Sequence, residues 1–322
     1  MGCRVAVIDS GVNKFYKNRI AKLLNYTEED HVDANGHGTK CVSIIDKIAP
    51  DTNFTVLKLL NKNLQCSSST LCQALTDLLT MDIDIVNLSL STAEINNYKD
   101  LNNICRNLYQ EGKLIIASKA NNGEKSYPAE SKYVLGVCGS LFPDNETFWY
   151  KSNGLIQIVA SKTPTILKVD ECKYSFFGGN SKATACMTGV ISKNWDDLSV
   201  MNIHEKKEYL SCLSVCTDWK DQDILNSVIA CEEKDFIIDK DIELSVKQLF
   251  KRYLDFEIDD MLDTELIYEI IGFRSLAEIF YHIVDQFKLE DVSGEFNLYD
   301  FTNLKGLCKK IKKFIEIGGD SY

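Results

Sequence analysis

The feature that most narrows the fold of this chain is an alternation, through its first half, of short β-branched runs with stretches of helical spacing. Residues 4–8 (RVAVI), 54–57, 83–88, 113–117, 134–138 and 156–160 read as strands. Between them, residues 40–48, 69–81 and 98–111 repeat apolar side chains at helical intervals. Strands alternating with helices of this length imply βαβ crossovers and an α/β fold with a mostly parallel sheet flanked by helices. In such sheets function gathers at the carboxyl ends of the strands, so the residues just after each run are the ones to inspect.

Those residues are chemically pointed. Asp9 closes the first strand in VIDSGV, and Gly36-His37-Gly38-Thr39 opens a helix after a loop. Ala120-Asn121-Asn122-Gly123 follows the strand KLIIA, and Gly178-Gly179-Asn180-Ser181-Lys182-Ala183-Thr184-Ala185 leads into a helical run ending at Val190. A serine hydroxyl is a weak nucleophile at neutral pH and needs a base within hydrogen-bond reach, for which His37 is the candidate. Taken singly, each residue also suits a plain role: Asp9 as a turn residue, His37 and Asn121 as loop caps, Ser181 as an N-cap.

Taken together and in this order, the motifs resemble those of the subtilisin-like serine peptidases, over roughly residues 4–213. The segments Asn87-Leu88-Ser89-Leu90-Ser91 and Ser126-Tyr127-Pro128-Ala129 extend the likeness. The resemblance implies a subtilisin-like domain with Asp9, His37 and Ser181 as the triad and Asn121 as the side-chain oxyanion donor. Activity is then expected to rise as His37 loses its proton near its reference value of about 6.5. The resemblance also implies that Ser89, Leu90, Ser91, Ala120 and Ser126 bind substrate. Ser91, Ala120 and Ser126 stand where the family commonly has glycine, which predicts a narrowed pocket favouring Gly, Ala or Ser before the scissile bond. Lys40, Asn180 and Ala185 stand where the family usually has His, Thr and Pro. No Asp-rich loop matches the family's main calcium site, so no required metal is expected.

Composition limits the setting. The 322 residues are 45% hydrophobic and 26% charged, globular values with a length suited to two domains. A net charge of −11 argues against nucleic acid or an anionic membrane as partner. No apolar run approaches a membrane span, and the first residues lack a signal peptide's apolar core. Twelve cysteines without a Cys-x-x-Cys pair, and only four histidines, give a structural zinc site little support. They read as reduced thiols in a cytoplasmic protein, and the early position of Asp9 leads to the expectation that no propeptide precedes it.

The last third differs in character. All four prolines and 12 of the 17 glycines lie by Gly189, and helical spacing resumes at residues 242–254, 275–287 and 304–315. Residues 255–300 carry thirteen acidic side chains against Arg274 and Lys288, with a long acidic loop expected at 255–272. Gly272-Phe273-Arg274-Ser275-Leu276, Phe287-Lys288-Leu289 and Phe301-Thr302-Asn303-Leu304 resemble the helix entries and exits of an acyl or peptidyl carrier protein. That resemblance implies an all-α bundle over residues 239–316, after a peptidase domain at 1–235 and before a tail at 317–322. Ser275 matches the serine that carries phosphopantetheine; Arg274 replaces the carrier's Asp and reverses the charge there, and Ser275 alternatively caps the helix.

The expected whole is an intracellular serine endopeptidase that processes a peptide precursor, by leader removal in natural-product maturation. A biosynthetic protein partner would dock on its acidic C-terminal module. No cofactor is required in this reading, with phosphopantetheine on Ser275 as the alternative. Two other classes fit the same residues: a peptide-binding scaffold with a decayed cleft, and a carrier protein whose peptidase part releases the attached product.

Overall fold

A computed structural model describes residues 2–92, 98–121, 125–226, 239–254 and 267–319. Its contacts divide the chain into two units, Met1–Lys162 with Gly178–Val228, and Thr163–Phe177 with Ile229–Tyr322.

The first unit is built on eight strands: β1 (Arg4–Asp9), β2 (Ile20–Asn25), β3 (Asn53–Lys58), β4 (Ile85–Leu88), β5 (Leu114–Ser118), β6 (Leu135–Ser140), β7 (Phe148–Tyr150) and β8 (Ile158–Ser161). They form one sheet in the order β2-β3-β1-β4-β5-β6-β8-β7. Every neighbouring pair is parallel except β7 with β8. The central strands are apolar on both faces, as strands covered on two sides must be: β1 is buried from Val5 to Asp9 and β5 throughout. Helices α1 (His37–Ile48), α2 (Ser68–Asp77) and α3 (Tyr98–Gln110) fall where helical spacing predicts them. α1 begins three residues earlier than the apolar pattern does, so that His37 is its first residue. The edge strands β2 and β7 lack a clean β-branched pattern and were not legible as strands.

The second unit opens with an antiparallel hairpin, β9 (Thr165–Asp170) and β10 (Lys173–Phe177). The chain then returns to the first unit through α4 (Gly179–Lys193), α5 (Trp195–Leu198), α6 (Ile203–Leu213) and α7 (Asp221–Asn226). It re-enters the second unit as α8 (Lys240–Tyr253), α9 (Ile267–Ile271), α10 (Phe273–Phe287) and α11 (Leu304–Gly319).

The expectation of an all-α bundle made only from residues 239–316 is therefore corrected. Ile166 and Tyr174 of the hairpin are buried in the same core as Val246, Phe250, Leu276, Phe280, Phe296 and Phe301. The Tyr174 ring meets Phe280 edge-on at 5.1 Å, and Phe280 meets Phe296 at 4.9 Å. Residues 294–298 run along the outer side of β9: Ile166 N–H donates to Phe296 O and Gly294 N–H to Ile166 O, both at 2.9 Å. Of the expected 255–272 loop, residues 255–266 lie outside the described residues and 267–271 form α9.

Candidate active site

β1 and α1 bring the first two candidates together. Asp9, the last residue of β1, is fully buried, and its Oδ1 lies 2.8 Å from His37 Nδ1. The same oxygen accepts from Ser10 N at 2.8 Å, which holds the carboxylate in one orientation. The approach needs Gly38: a Cβ there would stand 2.3 Å from Gly11 O and 3.0 Å from Asp9 Cβ.

The start of α1 has no side-chain cap at its N-cap, Gly36. Asp33 takes that duty from upstream. Its Oδ1 accepts from Gly36 N (2.7 Å), Asn35 N (3.2 Å) and Ser10 Oγ (2.9 Å). Its Oδ2 accepts from Thr39 N (2.9 Å) and Thr39 Oγ1 (2.6 Å). Sequence reasoning missed Asp33; the signal was an acidic residue three positions before the glycine that opens a helix.

Electrostatics set the state of the histidine. Burial favours the neutral imidazole, but the Asp9 carboxylate outweighs it and holds His37 above its ordinary value of 6.5. The expected titration at 6.5 is thus corrected upward. Cys41, one turn along α1, is fully buried below the pair. Burial and then the Asp9 charge push its thiol up, so it stays protonated and donates to Asp9 Oδ2 at 3.6 Å.

Ser181 sits in the first turn of α4, a helix buried almost all round and accordingly built from small and apolar residues. α4 is anchored to β4 by Asn87, which is fully buried and whose Oδ1 accepts from Thr188 Oγ1 at 2.9 Å. The anchor pairs Ser89 with Ser181. Ser181 Oγ donates to Ser89 O at 3.1 Å, and Ser89 Oγ donates to Ser181 O at 3.2 Å.

Asn180 ties the serine turn to its neighbours. Its Oδ1 accepts from Gly139 N at 2.8 Å, and its Nδ2 donates to Lys119 O at 3.0 Å. Its backbone N–H donates to Asn121 Oδ1 at 3.3 Å. With its oxygen engaged, Asn121 presents its amide nitrogen as a donor beside the N-terminus of α4. The departure from threonine at position 180 thus has structural work of its own.

The substrate-segment candidates divide. Ala120 N donates to the Oγ of the fully buried Ser126 at 2.8 Å, so those two are joined. Leu90 and Ser91 are half-buried, and the next residue, Thr92, exchanges backbone hydrogen bonds of 3.0 and 2.9 Å with Tyr127. That bridge links the segment after β4 to the segment after Ser126.

Two residues have surroundings the sequence did not signal. Lys182, directly after Ser181, is fully buried, with its Nζ 2.6 Å from Asn145 Oδ1 and 3.5 Å from Ser161 Oγ. Burial lowers its pKa. Ser275, in the second unit, is the third residue of α10 and half-buried. The N-cap of that helix is Gly272, so the capping role considered for Ser275 is corrected.

Among the described residues, Asp9, His37 and Cys41 form the one group of possible metal ligands, with ligand atoms within 4.8 Å of each other. The hydrogen bonds within the pair, and the protonated thiol, already account for it.

Comparison with known proteins places the chain in a family. The sequence model of the Subtilase family (peptidase S8) matches residues 1–211. An intracellular serine protease of Paenibacillus polymyxa is 24% identical over 216 residues, covering 59% of this chain and 66% of the relative. The minor extracellular protease Epr of Bacillus subtilis (strain 168) is 32% identical over 149 residues, 42% of this chain and 23% of the relative. The chain thus spans at most about two thirds of the length of these curated relatives.

Among solved structures, a cold-adapted subtilisin-like serine proteinase aligns with a TM-score of 0.55 and 18% identity, over 66% of this chain and 82% of its own. A lanthipeptide protease aligns with a TM-score of 0.54 and 19% identity, over 65% and 78%. Both likenesses are of fold.

Proposed function

Because this chain belongs to the subtilase family, we propose that it is a serine endopeptidase with Asp9, His37 and Ser181 as its triad. The observation that carries the proposal is the 2.8 Å contact between buried Asp9 and His37 Nδ1. That contact commits Nδ1 to Asp9 and makes Nε2 the nitrogen that acts as the base. Ser181 Oγ, donating to Ser89 O at 3.1 Å at rest, turns to give its proton to Nε2 as it attacks the scissile carbonyl. Asp9 fixes the tautomer and stabilises the imidazolium that forms. The carbonyl oxygen gains negative charge, which the Asn121 amide and the backbone N–H at the start of α4 stabilise. His37 then protonates the leaving amine, and water repeats the sequence on the acyl-enzyme.

The substrate reading is precursor processing inside the cell, with the second unit engaging the substrate or a biosynthetic partner. Its support is the attachment of a separate core to a peptidase, and the name of the Paenibacillus relative. Among the described residues, no helix is long and apolar enough to cross a membrane. No step runs through phosphopantetheine, and intact mass tests whether Ser275 carries it.

Ser181→Ala is the test of the activity. It removes the covalent route but little packing, so kcat on a short chromogenic peptide should fall by about 10⁴-fold or more with the unfolding midpoint unchanged. A folded variant with wild-type hydrolysis would sink the assignment.

A further inference from the structure

We propose that the crease between β10 and α10 in the second unit is a recognition groove for an extended, acidic segment of the peptide substrate, which adds as a strand to the edge of β10 that faces away from β9. The inference rests on the reading of the substrate as a peptide and gives that substrate a second contact, apart from the serine site.

The edge follows from the ladder. In an antiparallel pair, residues alternate between those whose N–H and C=O face the partner and those whose groups face away. Ile166 spends both of its groups on the 294–298 side, with Phe296 and Gly294. Phe176, opposite Ile166 across the hairpin, therefore directs its own N–H and C=O away from β9, and so does Tyr174, opposite Lys168. Lys168 N–H agrees with this register by donating to Ser293 Oγ at 3.0 Å on the outer side of β9. The one partner of this edge among the described residues is the Ser175 hydroxyl, which donates to Phe176 O at 3.3 Å.

Beside this edge lies a cavity of about 860 Å³, whose lining includes Tyr174, Phe176, Phe273, Arg274, Ala277 and Tyr281. That volume is in the range of ligand sites. Its floor is aromatic, with the rings of Phe176 and Phe273 5.0 Å apart.

The combination selects the ligand. Strand donors and acceptors at the wall of an apolar groove are satisfied by another main chain at strand spacing, which supplies affinity, while its alternate side chains enter the groove and supply specificity. An apolar small molecule or a docked helix would cover Tyr174 and Phe176 and leave their main-chain groups without partners. Lys173 and Arg274 outnumber Glu278 in the lining, so the groove itself presents basic side chains although residues 255–300 are acidic on balance. Arg274 is 94% exposed, and its one ion pair among the described residues, to Glu278, is 3.4 Å long, so it has further donors to offer an acidic side chain. In sequence, β10 ends four residues before Ser181, so the strand that takes the peptide and the nucleophile are consecutive parts of one chain.

The test uses the full chain carrying Ser181→Ala, panned with a random twelve-residue phage-displayed peptide library. The enriched peptides are then synthesised, and their binding is followed by fluorescence anisotropy. Amide hydrogen exchange should show protection of residues 172–177 on binding. Arg274→Glu should weaken the selected peptides at least about tenfold. Phe176→Pro deletes a main-chain N–H that the β9 ladder does not use, a place where an edge strand tolerates proline. It should weaken binding well beyond Phe176→Leu, which keeps that N–H while removing the ring. Circular dichroism and thermal unfolding establish that each variant is folded, and Arg274→Glu decides the matter if the proline variant is not.

A library without binders, peptides indifferent to Arg274→Glu, or protection falling on residues 89–92 and 125–127 instead would each overturn the groove. Wild-type hydrolysis of a short chromogenic peptide is measured alongside. Its absence with groove binding intact overturns the peptidase reading alone, and its presence with groove-independent binding overturns this inference alone.

Discussion

Replacing Asp33 with alanine isolates the device that sets His37 in place. Asp33 is 7% exposed, and its carboxylate accepts from Ser10 Oγ, Asn35 N, Gly36 N, Thr39 N and Thr39 Oγ1 at 2.6–3.2 Å. Loss of a helix cap costs about 1–2 kcal/mol. Thr39 is fully buried, so its freed N–H cannot turn to water and adds about 1–3 kcal/mol. Together these amount to about 2–5 kcal/mol of stability, whose upper part is among the larger effects of a single substitution.

The kinetic effect follows from the same contacts. His37 is the first residue of α1, and the next N–H, Gly38 N, is held at 3.0 Å by Ser10 Oγ, which itself donates to Asp33. If the first turn relaxes by about 1 Å, the alignment with Asp9 is lost and kcat falls by about 10²-fold. Urea unfolding and kcat on a short chromogenic peptide are the assays. Asp33→Asn, which keeps the shape and one acceptor, should recover part of both losses. A stability loss under about 1 kcal/mol, with kcat within twofold of wild type, would refute the positioning argument.

Three more outcomes are open to measurement. The acidic limb of kcat/KM should have its midpoint above 6.5, because Asp9 holds the proton on His37. The matching stability contribution of His37 is fully present below 6.5 and is lost as pH rises through the higher folded value, so a limb at or below 6.5 contradicts the pairing. Lys182 has the opposite sign. Its folded pKa lies below 10.5, so stability should rise with pH between the two values, and Lys182→Met should flatten that rise in urea unfolding at several pH values. Ser126→Gly should admit larger side chains before the scissile bond in a varied peptide library. It should also cost about 1–3 kcal/mol, because Ala120 N loses its acceptor; selectivity unchanged by the substitution counts against a pocket narrowed there.

The residues proposed for the chemistry, and their order along the chain, were legible in the sequence because each lies in a local signal. Asp9 ends a β-branched run, His37 opens a helix after glycine, and Ser181 lies in a run of small residues before one. Parallel strands joined by helices then place such positions at one end of a sheet, so the α/β class of the first unit was legible from periodicity.

Tertiary structure decided what depends on residues far apart in sequence. Asp33 became a helix cap through contacts on both sides of Gly36, and Asn180 a tie through Gly139 and Lys119. Lys182 is a charged residue that only packing could reveal as fully buried. The hairpin is the clearest case. Residues 165–177 precede the serine turn directly, and no local pattern separates them from the sheet that comes before. They belong to the second unit because Ile166 and Tyr174 find their apolar partners far onward in the chain, from Ile242 to Ile311. Hydrophobic burial is indifferent to sequence distance, and a strand takes whichever edge and core the folded chain brings to it.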